Sequence, residues 1–172
     1  AMQEILQNCP EAHIKVAGIS VLGVNGIKSR IKIPAYGKYL RRLILKNRLE
    51  GKVRVLGNLS AEEMKREYLS AQIFVCPSAV ENSPNSVAEG QLLGVPVAAS
   101  RTGGIPDVVK DGVSGLLFEK GNIHELAACV SRILTDKQLA KELSASERET
   151  AAKLYNGENN YQKLIEIYQS IE

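Results

Sequence analysis

Residues 75–104 read VCPSAVENSPNSVAEGQLLGVPVAASRTGG. An apolar run from Ile73 to Cys76 stops at Pro77, and a polar loop carrying Glu81 follows. A helix-forming run then carries Glu89, and a second apolar run, Val95 to Ala99, leads into the pair Gly103-Gly104. The order is strand, loop, helix, strand. In open parallel sheets, the loop between the carboxyl end of a strand and the next helix is where ligands bind. A helix start also presents backbone N–H groups that an anion can satisfy.

The turn itself can be read residue by residue. Pro84 suits the first helical position, where a missing N–H costs nothing, which makes Ser83 the expected N-cap. The N–H groups of Asn85 and Ser86 then point out of the helix start. Glu89 lies five residues beyond Pro84, about 7.5 Å along the axis, on the face of Asn85 and Ser86. Val87 and Leu92 are the expected core positions. Glu81 and Glu89 thus flank an anion site, in the order in which a nucleoside diphosphate sugar presents sugar, diphosphate and ribose. Taken alone, two acids at this spacing occur by chance in most chains, as a loop residue and a solvent-facing helix residue. Pro84 and the surrounding glycines are what favour a ligand.

Outward from this unit, strand-like and helix-like segments alternate, the pattern of an α/β domain with a parallel sheet. Strands are expected at His13–Ile19, Val53–Leu56 and Gly115–Phe118, besides the two already noted. Helices are expected over Met2–Asn8, about 36–49, Ser60–Ser70, His124–Leu134 and Lys137–Lys153, with a helical turn at Asp107–Asp111. The stretch from Ile19 to Pro34 reads as irregular. Ser60 followed by Glu63 is a capping-box signal. Gly94 ahead of Pro96 reads as a helix C-terminus, and Gly103-Gly104 as either a crowded turn or a close approach to ligand. Tyr161, Leu164, Ile165, Tyr168 and Ile171 recur at helical spacing.

At 172 residues, with 44% apolar and 24% charged residues, the chain reads as one soluble globular domain, 1–172. No apolar run approaches the ~20 residues that span a bilayer. Cys9, Cys76 and Cys129 are odd in number and far apart, as in reduced, buried thiols of a cytosolic protein. His13 and His124 stand alone, so no metal site is expected. The net charge of +3 conceals a basic segment, Lys28 to Arg54, with ten Lys or Arg against Glu50. That segment reads first as a solvated helix face, and second as a surface for anionic lipid or a phosphorylated substrate. Nothing points to nucleic acid. No strand precedes the first helix, and Ala1 precedes Met2, so the chain is expected to be a piece of a longer protein, cut just inside its second domain.

The segment PSAVENSPNSVAEGQLLGVPVAAS resembles the E-x7-E region of family 4 glycosyltransferases. The likeness continues through TGGIPDVVKDGVSGLLFEKGN and upstream through VRVLGNLSAEEMKREYLSAQIFVCPS, covering about residues 10–170. It implies a Rossmann-like parallel sheet flanked by helices, the C-terminal, donor-binding half of a two-domain GT-B enzyme. The activity implied is retaining transfer of a sugar from a nucleoside diphosphate sugar, which is substrate rather than cofactor, with no metal. In that family the acid matching Glu81 contacts the transferred sugar and the one matching Glu89 the ribose. Backbone around Asn85 and Ser86 holds the distal phosphate, and residues matching Asn58 and Leu59 border the base. Asn82-Ser83, ahead of Pro84, stands where many relatives have Gly-Phe, which leaves the sugar open. The family's diphosphate-neutralising Arg and Lys follow a strand that this chain lacks, and the acceptor is bound mainly by the N-terminal domain. The chain alone is therefore expected to be inactive in transfer. A cytoplasmic protein with a peripheral contact to the inner membrane face is a further expectation. The alternatives are another GT-B sugar-nucleotide enzyme, such as an epimerase, and a binding module without activity.

Overall fold

The computed structural model describes residues 1–18 and 35–171, which fall into two compact units, Met2–Glu67 and Tyr68–Glu172 with Ala1. The irregular stretch expected before Pro34, and the basic residues Lys28, Arg30 and Lys32, lie outside the described residues.

In the first unit, α1 (Met2–Asn8) precedes β1 (Ile14–Ala17), α2 (Ala35–Lys46), β2 (Val53–Gly57) and most of α3 (Ala61–Ser70). β1 and β2 pair in parallel, Ile14 opposite Val53, with an irregularity between Val16 and Ala17. α3 starts as the sequence signals. The Ser60 N–H and hydroxyl both donate to Glu63 Oε2 (2.8 and 2.7 Å), and the Glu63 N–H returns to Ser60 Oγ at 3.3 Å. These bonds hold the Glu63 carboxyl below its ordinary pKa and satisfy donors that helix geometry leaves open. α2 keeps Gly37 buried while Lys38, Arg41, Arg42 and Lys46 are exposed.

The second unit holds β3 (Phe74–Cys76), α4 (Asn85–Leu93), β4 (Val97–Ser100), α5 (Ile105–Val108), β5 (Leu116–Phe118), α6 (Ile123–Thr135), α7 (Lys137–Leu154) and α8 (Gly157–Gln169). Its sheet has the order β3-β4-β5, all parallel, with Cys76 opposite Ala99 and Ala99 opposite Leu117. Every residue of β4 is buried, as the continuous run VAAS requires of a central parallel strand covered on both faces. Cys76, Val87, Val97, Ala99, Ile105, Val109 and Leu117 form one core cluster.

α4 ends at Gly94, which is left-handed (φ 69°) and returns its N–H to Gln91. A Cβ there would run into the Arg148 guanidinium, which itself donates to the Leu93 carbonyl. The short α5 spans 105–108, earlier than the expected 107–111, because Pro106 fits the first turn, where no N–H is needed. Leu92, expected in the core, is exposed, and Gln91 is fully buried in its place. The Gln91 amide donates to the carbonyls of Val108 (3.0 Å) and Ser114 (3.2 Å), backbone acceptors that would otherwise be stranded inside. Of the cysteines only Cys76 is buried; Cys9 and Cys129 are half-buried, and all three are free.

A candidate donor site at the start of the fourth helix

Parallel pairing sets the carboxyl ends of β3, β4 and β5 along one edge. The loop after β3, residues 77–84, therefore meets the end of β4 and the segment after it. Three hydrogen bonds join them. Ser100 Oγ donates to the Ser78 carbonyl at 2.6 Å, Thr102 Oγ1 to the Ala79 carbonyl at 3.2 Å, and the Gly104 N–H to the Glu81 carbonyl at 3.2 Å. The approach is so close that a Cβ on Gly103 would be driven into the Glu81 carbonyl oxygen, and one on Gly104 into that of Asn82. Gly103 also sits at φ 51°. The glycine pair is thus required by backbone packing against the Glu81 loop. The Glu81 side chain is itself tethered, since Ser78 Oγ donates to Glu81 Oε2 at 3.1 Å.

The helix start differs from the expected one by a residue. Pro84, not Ser83, is the N-cap: it is extended (φ −76°, ψ 93°), and its carbonyl accepts from Val87 (2.9 Å) and Ala88 (3.1 Å). Proline has no side-chain acceptor, so α4 has no side-chain cap. Among the described residues no protein acceptor takes the N–H of Asn85 or Ser86. These are the two donors the sequence placed toward an anion, and the correction leaves them in place. Asn82, Ser83 and Asn85 are exposed, Ser86 is half-buried, and Pro84 is buried. Val87, Gly90 and Gln91 face the core, which turns the exposed Glu89 outward with Asn85.

Tyr68, at the end of α3, was not singled out by the sequence. Its hydroxyl donates to the Ser86 carbonyl at 2.9 Å. Burial, followed by the Glu89 carboxylate beside it, pushes the phenol's pKa up. Ser78, Ser100 and Thr102 were missed as well; a hydroxyl at a strand's carboxyl end is the only sequence signal they carry.

Of the remaining sequence candidates, Asn58 (exposed) and Leu59 (half-buried) follow β2 in the first unit. Arg101, the cation at the carboxyl end of β4, is engaged by Asp111 (2.9 Å) and Glu119 (3.0 Å). Among the described residues, no group of three or more His, Cys, Asp or Glu could hold a metal ion, and no helix is long and apolar enough to cross a membrane.

Comparison with known proteins gives this geometry a family. Residues 1–150 match the model described as glycosyl transferases group 1. The chain is 26% identical over 165 residues to an uncharacterized glycosyltransferase of Methanocaldococcus jannaschii, covering 93% of this chain and 46% of that protein. It is 29% identical over 175 residues to the D-inositol 3-phosphate glycosyltransferase of a Nocardioides species, covering 98% and 37%. The chain spans less than half the length of the curated relatives it matches. Among solved structures, Anabaena HepE in complex with UDP and glucose superposes with a TM-score of 0.80 at 22% identity, covering 98% of this chain and 43% of that one. The C-terminal domain of a group 1 glycosyl transferase from Francisella tularensis does so at 0.66 and 16% identity, covering 90% and 93%. The α/β fold, parallel strands flanked by helices, is that of its GT-B glycosyltransferase neighbours. By the match over residues 1–150, the chain belongs to the glycosyl transferases group 1 family.

Proposed function

We propose that the chain is the C-terminal, donor-binding half of a two-domain GT-B glycosyltransferase of family 4. It would take a nucleoside diphosphate sugar and pass the sugar to an acceptor with retention. One observation carries the reading: two N–H groups at the start of α4, without an acceptor among the described residues, lie between Glu81 and Glu89, all in one compact unit. That Anabaena HepE has been seen with UDP and with UDP-glucose supports this ligand class.

The chemistry follows from the geometry. The departing diphosphate gathers negative charge as the glycosidic bond breaks. The N–H groups of Asn85 and Ser86 meet that charge with fixed dipoles, so little reorganisation is needed as it develops. Glu81, steadied by Ser78, faces the transferred sugar, with Asn82 and Ser83 shaping its pocket beside Pro84. Glu89 accepts from the ribose hydroxyls, and the likeness to family 4 assigns the base to the positions matching Asn58 and Leu59. The nucleotide sugar is substrate, and the reading invokes neither metal nor cofactor. The acceptor belongs to an N-terminal domain outside this sequence, so this half alone is inactive in transfer. The protein would act in the cytoplasm, with peripheral contact at the inner membrane face.

Isothermal titration with UDP, GDP and ADP tests the binding half of the proposal. One of them should bind, and Glu89→Ala should weaken it about tenfold, the worth of a hydrogen bond to a charged group. In the full-length protein, Glu81→Ala should lower transfer by roughly a hundredfold or more, as for removal of a transition-state contact. Unchanged transfer would remove Glu81 from the mechanism.

A further inference from the structure

α2 differs from the helices around it in how its charges are placed. α3, α6 and α8 each carry a glutamate in the first turn, where a carboxylate suits the helix dipole. α2 has no acid there and none along its length. The chain holds no Asp or Glu at all between Glu11 and Glu50. Lys38, Arg42 and Lys46 follow at four-residue spacing and form one row on the helix, with Arg41 beside it; all four are exposed. Like charges in such a row repel. A merely solvated face relieves them with acids, as α7 does by pairing Lys153 with Glu149 at 2.7 Å. Among the described residues no carboxylate pairs with any of the four cations of α2.

Apolar groups stand among these cations. Gly37 is buried and Leu40, Leu43 and Ile44 are half-buried, which fixes the inward face of the helix. Tyr39 (56% exposed) and Leu45 (52%) lie on the outward side with the cations. Tyr36, also exposed, sets its ring 6.3 Å from that of Tyr39. Cations with exposed Tyr and Leu between them suit the boundary between lipid headgroups and acyl chains. There the cations meet lipid phosphates while the rings and Leu45 leave water. A nucleic-acid backbone would engage the cations and leave Leu45 exposed.

We propose that the outward face of α2 docks on a membrane surface rich in anionic lipid, held by Lys38, Arg41, Arg42 and Lys46, with Tyr39 and Leu45 entering the interface. The inference rests on the peripheral membrane contact in the reading above and names the surface that makes it. It does not involve the start of α4, which belongs to the other compact unit.

The test is co-sedimentation of the full chain with phosphatidylcholine vesicles, with and without about one-third phosphatidylserine. The chain should bind the anionic vesicles and not the neutral ones. It should be released as salt rises from about 0.1 to about 1 M, where the screening length falls to about 3 Å. Each cation at such a surface contributes about fivefold to partitioning, so Arg41→Gln with Arg42→Gln should weaken binding roughly 25-fold. Arg41→Lys with Arg42→Lys should retain it, which separates lost charge from lost folding. Lys137→Gln with Lys141→Gln removes the same charge from α7 and should change binding by less than about twofold. Leu45→Gln should weaken vesicle binding several-fold and leave binding of a short RNA unchanged. No binding to anionic vesicles, equal binding to neutral ones, or an RNA bound as tightly with Leu45→Gln changing neither would overturn the proposal. Vesicle binding that survives the α2 variants would place the contact elsewhere: the peripheral reading would stand and this inference would fail. Nucleotide titration of the same proteins reads the donor site separately.

Discussion

In the loop after β3, the carbonyls of Ser78, Ala79 and Glu81 each accept a hydrogen bond from the last residue of β4 or the segment after it. One turn later, the N–H groups of Asn85 and Ser86 have no acceptor among the described residues. The two regions adjoin in sequence and differ in what they are built for. Buried or crowded backbone is normally paired within the protein, and the loop obeys that rule down to the two glycines that let it be approached. The helix start, which is exposed at Asn85, leaves its first donors open, as helix geometry does wherever no side chain caps it. A side-chain cap would close the gap, and Pro84 cannot supply one. On the proposed donor-site reading, the braced loop and the open donors together would let a ligand bring its own acceptors to the start of α4.

The brace stands on β4, and β4 is fastened from behind by an acid. Glu147, fully buried on α7, accepts the Val97 N–H at 2.8 Å through Oε1 and leaves Oε2 without a partner among the described residues. Burial raises its pKa to about 8, the Val97 N–H opposing the shift. The folded protein therefore holds a proton that the unfolded chain releases near the ordinary carboxylate value of 4.5. The contribution of Glu147 to stability is fullest below about pH 4.5 and is lost as pH rises through about 8. A shift of that size corresponds to at most about 5 kcal/mol. Urea denaturation at pH 5 and pH 8 should show the loss, and Glu147→Gln should flatten it. An unchanged pH slope in Glu147→Gln would show that the anchor of β4 is not titrating.

Breaking the brace directly should cost somewhat less. Gly103→Ala adds a Cβ against the Glu81 carbonyl at a positive φ, and should destabilise by about 3 kcal/mol through strain and displacement. Because the displaced segment carries Glu81, affinity for a nucleotide sugar should fall more than affinity for the bare nucleoside diphosphate. Equal losses for both ligands would mean that loop and helix start are not separate devices. Ser100→Ala, which removes the donor to Ser78, should cost about 1–2 kcal/mol. Thr102→Val, at a longer bond, should cost less. Chemical denaturation at one pH ranks the three.

Much of this was legible in the residues, because the signals were local. Alternating apolar runs and Gly or Pro stops located the five strands among the described residues to within about two residues, and the Ser60–Glu63 box located α3. Glu81, Asn85, Ser86 and Glu89 fell where the loop-to-helix turn placed them. The failures share a cause as well. Ser83 was preferred as cap because Pro84 fits a first helical position, and only the extended ψ of Pro84 decides between them. Leu92 was preferred to Gln91 for the core because hydropathy cannot register the carbonyls of Val108 and Ser114, which need a buried donor. Tyr68, Ser100 and Thr102 act across 18 to 23 residues of chain, and no periodicity reports such contacts. Gly103-Gly104 left two readings open until the Glu81 and Asn82 carbonyls were seen against them.

The open donors at the start of α4 are the core of the account, and the amide NMR spectrum reads them directly. Titrated with UDP, GDP and ADP up to millimolar concentration, the Asn85 and Ser86 amide signals should shift with at least one nucleotide, saturably, and Glu89 should follow. If those two amides stay in place with all three nucleotides, α4 does not hold a diphosphate and the donor site is contradicted.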